Sequence, residues 1–347
     1  MKTTRTLQTS TTAQAAKLQT QKRRTLVVAL ASLLFIGTGI FLSQQAHAQN
    51  YPTKPVKIVV PFATGGPADN YARFMAQRLQ ESLGQTFVVD NKPGAGSVIG
   101  TDLAAKAAPD GYTLLLITGG HAVSAALYRQ LPYEPVEDFA PLSTMVHFAF
   151  VLATGADSRY KSVGELIAYA RSNPGKVSFG SAGIGSTQHL AGELFKSMAA
   201  LDIEHIPFRG GTTPVQEVMA GRLDFLMETL TPTLPQIRAN RLRPLAVTSR
   251  SRSPVLPEVA SLEDALPGYE VTSWMGIAAP ARTPRAVVER LNREITRVVA
   301  MPEIRERFLS VVGGEARAST PEAMREHLQS EIAKWTRVVE AARIPRQ

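Results

Sequence analysis

Short apolar runs separated by turn residues recur along most of the chain. They lie at 56–60, 87–90, 112–118, 150–154, 176–180, 223–228 and 242–249. Runs of this length, rich in aliphatic and β-branched residues, are typical of strands. Between several of them, apolar residues such as Tyr71, Met75 and Leu79 recur at helical spacing. Strands that alternate with helices predict an α/β fold with largely parallel sheets.

Two longer stretches near the C-terminus have the pattern of amphipathic helices, at 286–299 and 322–342. The second carries one apolar stripe, formed by Leu328, Ile332, Trp335 and Val339. A stripe of this kind predicts that the helix packs on a core.

Two junctions between a predicted strand and a predicted helix are rich in glycine. They are IVVPFATGGPADNYARFMAQRL at 58–79 and KVSFGSAGIGSTQHLAGELF at 176–195, and a third loop, NKPGAGSVIG, lies at 91–100. Glycine permits a positive φ and the close approach of another group to the backbone. The first N–H groups of a helix lack internal partners and lie at the positive end of its dipole. The junctions therefore suit an anion, although ordinary chain turns remain the alternative.

The N-terminus has the layout of a secretory signal peptide. Residues 1–24 hold six basic residues and no acidic one, and an apolar run of 17 residues follows from Leu26 to Leu42. The triplet Ala46-His47-Ala48 then provides small residues before Gln49. We predict a signal peptide over 1–48 and export to the periplasm. Because 17 apolar residues can just span a bilayer, retention as an anchor is the alternative.

Charge and cysteine content exclude several classes of protein. The formal net charge of +9 falls to +3 when the six basic residues of 1–48 are removed, so we expect no nucleic-acid partner. The absence of cysteine excludes disulfides, thiolate metal sites and a Cys nucleophile. With 44% hydrophobic residues, a chain of this length buries a sizeable core, most naturally in two domains.

The loops lack the signatures of nucleotide sites and of hydrolases. Neither large junction ends in Gly-Lys-Ser/Thr, and the GAG at 94–96 is followed by three residues before Gly100, where a dinucleotide fingerprint has two. Ser181 lies in GSAG instead of the Gly-x-Ser-x-Gly elbow. Metal-ligand spacing is absent among His121, His147, His189 and His205. We expect no cofactor, no metal site and no enzymatic activity.

The segment PFATGGPADNYAR at 61–73 resembles the first signature of the Bug family, the periplasmic solute-binding proteins of tripartite tricarboxylate transporters. The resemblance covers essentially all of 51–347 through NKPGAGSVIG, AAPDGYTLL, LPYEPVEDFAPLS, HLAGELFKSMA, LAVTSRSRSPVLPEV and SWMGIAAPARTP. It implies a two-domain periplasmic-binding fold of type II, the Venus flytrap, with a ligand cleft between the domains. We expect domain 1 at 50–152 plus 276–347 and domain 2 at 153–275, with crossovers near 151–154 and 272–276.

The resemblance also implies how a ligand carboxylate is held: by backbone amides, small hydroxyls and bridging water, without direct pairing to an arginine. The first loop is expected to contribute Phe62, Thr64, Gly65, Gly66 and Asp69. The second loop is expected to contribute Ser181, Ala182, Gly185, Ser186, Thr187 and His189. His121, Tyr128 and Glu228 complete the expected ligand-binding set. Asp69 has two interpretations, an acid that stabilises the helix start or a polar residue of the cleft.

Two departures from the family pattern leave the ligand open. Met227-Glu228-Thr229 stands where relatives commonly have a Phe-Asp-Asn-like triplet, and the first loop, ATGGPA at 63–68, is poorer in proline and glycine. Citrate, other di- and tricarboxylates, acidic amino acids and aromatic acids remain candidates.

Three functions follow as hypotheses. The first is a monomeric receptor that delivers a small organic acid to membrane permease subunits of a tripartite tricarboxylate transporter. The second is the same binding module as the input of a signalling partner. The third is an exported hydrolase that uses Ser181 or Ser186 with a histidine.

Overall fold

Two mixed β-sheets organise the residues that the computed structural model describes, 51–210 and 212–347. The predicted signal peptide, 1–48, lies outside these residues. Residues Pro52–Gln347 group together as one unit. The strands are β1 Val56–Val60, β2 Phe87–Asn91, β3 Thr113–Thr118, β4 Phe139–Ala149, β5 Val151–Gly155, β6 Ser178–Ser181, β7 Glu204–Pro207, β8 Phe225–Glu228, β9 Leu242–Val247, β10 Thr272–Pro280 and β11 Glu315–Ala316.

Helices connect and cover the strands. The helices are α1 Pro67–Leu83, α2 Val98–Ala105, α3 Gly119–Leu127, α4 Val163–Ser172, α5 Thr187–Met198, α6 Thr213–Met219, α7 Leu230–Arg238, α8 Arg285–Val299, α9 Pro302–Val312 and α10 Pro321–Ala341. Short 3₁₀ turns lie at Ala95–Ser97 and Leu262–Asp264. Among the described residues, no helix is long and apolar enough to cross a membrane.

The first sheet has the order β11-β4-β10-β3-β1-β2, and the second has the order β7-β6-β8-β5-β9. Strands joined through helices, such as β1 with β2 and β6 with β7, pair in parallel. β10 instead runs antiparallel to β3 and β4, and β5 runs antiparallel to β8 and β9. The prediction of largely parallel sheets was therefore wrong, because strands next to the crossings between the sheets are antiparallel to their neighbours.

The chain passes between the sheets at two places. It leaves the first sheet at Ala149 and enters the second at Val151, and it returns between Val247 and Thr272. Thr248, fully buried, connects both passages. Its Oγ1 accepts from the Phe150 N–H at 2.8 Å and donates to the Val271 carbonyl at 2.7 Å. This hydroxyl therefore ties the two crossing segments together.

Central strands of the first sheet are buried on both faces. Ile58 and Val59 on β1 are inaccessible, as are Leu114 and Leu116 on β3. Such strands read as continuous apolar runs, which is why the sequence revealed them. In the second sheet, a core of aliphatic side chains from β5, β8, β9, α6 and α7 packs together.

Helix α1 shows how local sequence positions the first glycine loop. Pro67 occupies the first helical position, where its missing N–H costs nothing, and Asp69 lies in the first turn. The helix ends at Gly84, whose φ of 69° and N–H bond to Gln80 form a left-handed cap. The start of this helix is thereby fixed directly after residues 62–66.

Candidate functional site

Four helix N-termini meet at one cavity of about 50 Å³. The N-cap residues of α1, α3, α5 and α7 all line it, and they are Gly66, Thr118, Ser186 and Thr229. Pro67, Ala68, Gly120, Thr187, Gln188 and Glu228 extend these four walls. The remaining lining residues are Phe62, Phe148, Phe150, Ala182, Gly210, Ser273 and Met275. The cavity thus combines helix starts with an apolar and hydroxyl-bearing floor from the crossing strands.

The caps leave helix N–H groups near the cavity. Thr118 Oγ1 accepts from the Gly120 N–H at 3.2 Å, and Ser186 Oγ accepts from the His189 N–H at 3.2 Å. Each cap satisfies only one of the donors in a first turn. Thr229 provides no side-chain cap for α7. Several donors are therefore available to an occupant.

The helix starts supply partial positive charge at the cavity without a cationic side chain. None of the described residues that line it is lysine or arginine. Each helix N-terminus carries roughly half a positive charge, and the effect is strongest within the first turn. Four such ends bordering one small volume favour an anion that accepts hydrogen bonds, such as a carboxylate.

Glu228 is the opposing charge in this cavity. Its carboxylate is buried and accepts from the Thr229 N–H at 2.7 Å and from Gln188 Nε2 at 3.2 Å. Burial raises the pKa of Glu228, and these hydrogen bonds only partly offset that effect. Glu228 is therefore protonated more readily than a carboxyl in water, and its repulsion of a bound carboxylate is reduced accordingly.

Asp69 stands behind the first loop and does not line the cavity. Its Oδ2 accepts from the Gly65 N–H at 2.9 Å and from Arg73 Nε at 3.0 Å. Burial acts to raise the pKa of Asp69, but the hydrogen bonds from Arg73 and Gly65 outweigh it and lower the pKa. Arg73 continues the network to Asn91, whose amide donates to the Phe62 carbonyl. These contacts favour the helix-start interpretation of Asp69.

Six of the fourteen residues predicted to bind ligand line the cavity. They are Phe62, Gly66, Ala182, Ser186, Thr187 and Glu228. Thr64 and Gly65 are exposed on the first loop, and Ser181, Gly185 and His189 are buried residues of the second loop and the start of α5 that do not line the cavity. Tyr128 lines a neighbouring cavity of about 260 Å³ that shares Phe62 and Ala182 with the first.

The structure does not bring His121 to the cavity. Its ring stacks on Tyr133 and packs edge-on against Phe139, and Nε2 donates to the Pro135 carbonyl at 2.7 Å. Burial lowers the pKa of His121 to about 4, and the bond to Pro135 offsets little of this. The neighbouring Gly120 reaches the cavity instead.

Sequence reasoning missed the residues that other elements add to the cavity. Thr118 could have been found, because it ends a strand and precedes Gly119-Gly120 in the same pattern as the two recognised junctions. Phe148, Phe150, Ser273 and Met275 carry no local signal. They reach the cavity only because the crossing strands meet there.

A serine and a histidine lie in contact, but the serine is not placed to attack a ligand. Ser181 Oγ lies 2.6 Å from His205 Nε2. The serine is 1% exposed, does not line the cavity, and its Oγ accepts from the Gly183 N–H at 3.1 Å. The contact between Ser181 and His205 therefore stabilises the second loop.

Contacts around the cavity join elements of both sheets. Ser124 Oγ donates to the Gly185 carbonyl at 3.4 Å, and Thr187 and Ser273 lie 3.4 Å apart through their hydroxyl oxygens. Gly96, with φ of 61°, lies so close to the Ile184 carbonyl that a Cβ would come within 1.9 Å of its oxygen. Only glycine fits between these loops in this arrangement.

Comparison with known proteins identifies relatives of this chain. The model of the tripartite tricarboxylate transporter family receptor matches residues 71–344. A protein from the tcbD-tcbE intergenic region of Pseudomonas sp. strain P51 is 41% identical over 83% of this chain and 86% of its own length. Protein BugT of Bordetella pertussis is 35% identical over 88% of this chain and 94% of its own length.

Solved structures agree in fold. R. palustris Rpa4515 with adipate is 35% identical, with a TM-score of 0.81 over 84% of this chain and 98% of its own. MatC of Rhodopseudomonas palustris with bound malate is 30% identical, with a TM-score of 0.80 over 83% of this chain and 100% of its own. The predicted fold class is thereby confirmed. The chain belongs to the tripartite tricarboxylate transporter receptor family, the Bug family of periplasmic solute-binding proteins that its sequence resembles.

Proposed function

We propose that the protein captures a small organic carboxylate in the cavity between its two sheets and delivers it to the permease subunits of a tripartite tricarboxylate transporter. One observation carries the proposal: the N-cap residues of four helices line one cavity that has no lysine or arginine among its described lining residues. Backbone amides and hydroxyls then hold the anion, as the family resemblance implies.

Family membership supports the receptor role. The family consists of binding receptors, so the prediction that the chain is not an enzyme is confirmed. Two family structures contain adipate and malate, which are dicarboxylates. We propose a ligand of this class for the present chain, bound in the periplasm after export.

We further propose that the sheets belong to two domains that close on the ligand. The predicted domains, 50–152 plus 276–347 and 153–275, change over close to the two crossing segments at Phe150 and 248–271. Contacts such as Ser124 with Gly185 and Thr187 with Ser273, which are made in this structure, would hold the closed form together. Closure would enclose the carboxylate between helix starts contributed by both sheets.

A screen of organic acids tests the proposal on the chain from Gln49 to Gln347. Thermal unfolding is followed with each acid from a panel of di- and tricarboxylates, acidic amino acids and aromatic acids. Ligand at 100 times its Kd should stabilise the fold by about 2.7 kcal/mol. A panel with no stabilising acid would contradict the proposal. Co-purification with a signalling protein, in place of permease subunits, would favour the sensor alternative.

A further inference from the structure

Three side chains capable of metal binding lie together behind the second glycine loop. His189 and Glu193 are four residues apart on α5, and His205 lies on β7, which packs against α5. One nitrogen or oxygen from each lies within 4.8 Å of the others. We propose that His189, Glu193 and His205 form a binding site for a divalent transition metal of the Zn²⁺ type.

The donor set suits such an ion. Two imidazoles and one carboxylate are the protein ligands of many zinc sites that keep a fourth position for water. Bonds of about 2.1 Å in a tetrahedral site place ligand atoms about 3.4 Å apart. The donors here must therefore approach one another by about 1.4 Å at most. Glu193 has the freedom to do so, because its side chain is 14% exposed and its ion pair with Lys196 is long, at 3.8 Å.

Each histidine has one ring nitrogen in contact with the second loop. His205 Nε2 lies 2.6 Å from Ser181 Oγ, which leaves Nδ1 for a metal. His189 Nδ1 faces the Gly185 N–H at 3.4 Å, which leaves Nε2. The two rings stack with their centroids 4.2 Å apart, and His205 also stacks on Phe179 at 4.8 Å. Because an imidazole binds a metal in its own ring plane, one of the two rings must turn out of this stack for both to bind the same ion. Metal-binding histidines commonly donate their second N–H to an oxygen. His205 can do so from Nε2 to Ser181 Oγ, whereas His189 must give up the bond that its Nδ1 accepts from Gly185.

The site is coupled to the cavity through the second loop. Ser181 and Gly185 belong to the same segment as Ala182 and Ser186, which line the cavity. A metal on His189 Nε2 requires the imidazole proton on Nδ1, and this ends the contact from the Gly185 N–H. An ion at the site would thus alter the loop that carries one helix start to the cavity. The sequence alone does not predict this site, because His205 lies on β7 while His189 and Glu193 lie on α5.

Titration with Zn²⁺ alone tests the proposal. The mature chain is prepared without a polyhistidine tag, stripped with chelator, and titrated by calorimetry, with Co²⁺ absorption as a second readout of tetrahedral coordination. We expect saturable binding of one ion. Glu193→Gln and His205→Asn should each weaken it at least tenfold, because each removes one of three ligands.

Two variants serve as controls. Lys196→Gln removes the cation beside Glu193 and should leave Zn²⁺ binding unchanged or tighter. His327→Asn breaks the other histidine pair, in which the His327 ring lies 5.2 Å from the His147 ring, and should leave binding unchanged. Circular dichroism confirms that each variant is folded. Absence of saturable binding, binding that survives both ligand variants, or binding lost with His327→Asn would overturn the proposal.

Discussion

At the scale of single residues, Glu228 controls the charge that a bound carboxylate meets. Its buried carboxylate faces the same cavity as the four helix starts. Two negative charges about 6 Å apart repel by a few kcal/mol at an effective dielectric constant near 20. Glu228→Gln keeps the shape and removes the charge. We expect it to tighten binding of a plain dicarboxylate about tenfold, measured by calorimetry at pH 7.5.

The pH dependence of the same measurement separates charge from shape. Because burial raises the pKa of Glu228, its carboxyl becomes neutral at a higher pH than a carboxyl in water. Wild-type affinity should therefore rise as the pH is lowered from 7.5, while the Glu228→Gln variant should show a smaller change. A large loss of affinity in the variant would instead show that Glu228 accepts a hydrogen bond from the ligand.

His121 makes a second prediction, for acid stability. Its pKa is about 4 in the fold and about 6.5 in the unfolded chain, so the unfolded chain binds more protons between these values. The stability from His121 is fully present above pH 6.5 and is lost as the pH falls towards 4. The loss is at most about 3.5 kcal/mol, since the two pKa values differ by about 2.5 and a difference of 1 corresponds to about 1.4 kcal/mol.

Denaturant unfolding at several pH values measures this contribution. His121→Gln removes the titrating ring while keeping a donor for the Pro135 carbonyl. The neighbouring Tyr133 stays neutral over this range, because burial raises its pKa further. The variant should lose less stability than wild type between pH 6.5 and 4. Parallel losses in both proteins would contradict the assignment.

At the scale of elements, the two glycine junctions act in different ways. Gly66 has an ordinary φ of −82° and lines the cavity, so a valine there would fill space that the ligand needs. Gly185 has φ of 84°, and a Cβ there would lie 3.0 Å from the Tyr128 ring. We expect Gly66→Val and Gly185→Val each to weaken ligand binding at least tenfold, about 1.4 kcal/mol.

A matched control shows whether these losses are specific. Gly164 lies in the first turn of α4, and the nearest atom to an added Cβ is Ser162 Oγ, at 3.8 Å. Gly164→Val should bind the ligand as wild type does. Stability should fall more in Gly185→Val than in Gly66→Val, because only the first forces a side chain into a left-handed conformation. Wild-type affinity in both folded loop variants would mean that the glycines only turn the chain.

The elements differ in how far their sequence reveals them. Short runs rich in aliphatic residues, such as 56–60 and 242–249, predict strands, and β1 Val56–Val60 and β9 Leu242–Val247 occupy them. β4 and β10 were missed, because serine, threonine, glycine and histidine interrupt their apolar pattern. These two strands are held by pairing with each other, with irregular register at Met275/Gly276 and Ile277/Ala278. Such pairing is a property of distant segments and leaves no local signal.

The candidate site was predictable to the same extent. Helix starts at Gly66 and Ser186 follow from local glycine and capping patterns. The floor formed by Phe150 and Met275 depends on where the chain crosses between sheets, which the sequence does not encode locally.

At the scale of the whole molecule, the proposed closure should change the surroundings of Trp274. This residue lies on β10 between Ser273 and Met275, which line the cavity, and its buried ring packs against His327. The chain has two tryptophans, so Trp335→Phe leaves Trp274 as the only one. We expect saturating ligand to change the emission of this variant. An unchanged spectrum would contradict the placement of the hinge near β10.

The central claim is that helix N-termini in this cavity hold a carboxylate. It is tested most directly by calorimetric titration of the mature chain with the strongest acid from the screen and with the neutral amide of the same acid. Both molecules have nearly the same shape, but the amide lacks the negative charge and presents donors to N–H groups that are also donors. The account predicts saturable binding of the acid and affinity for the amide weaker by at least a hundredfold, about 2.7 kcal/mol. Equal affinity for both molecules would contradict it.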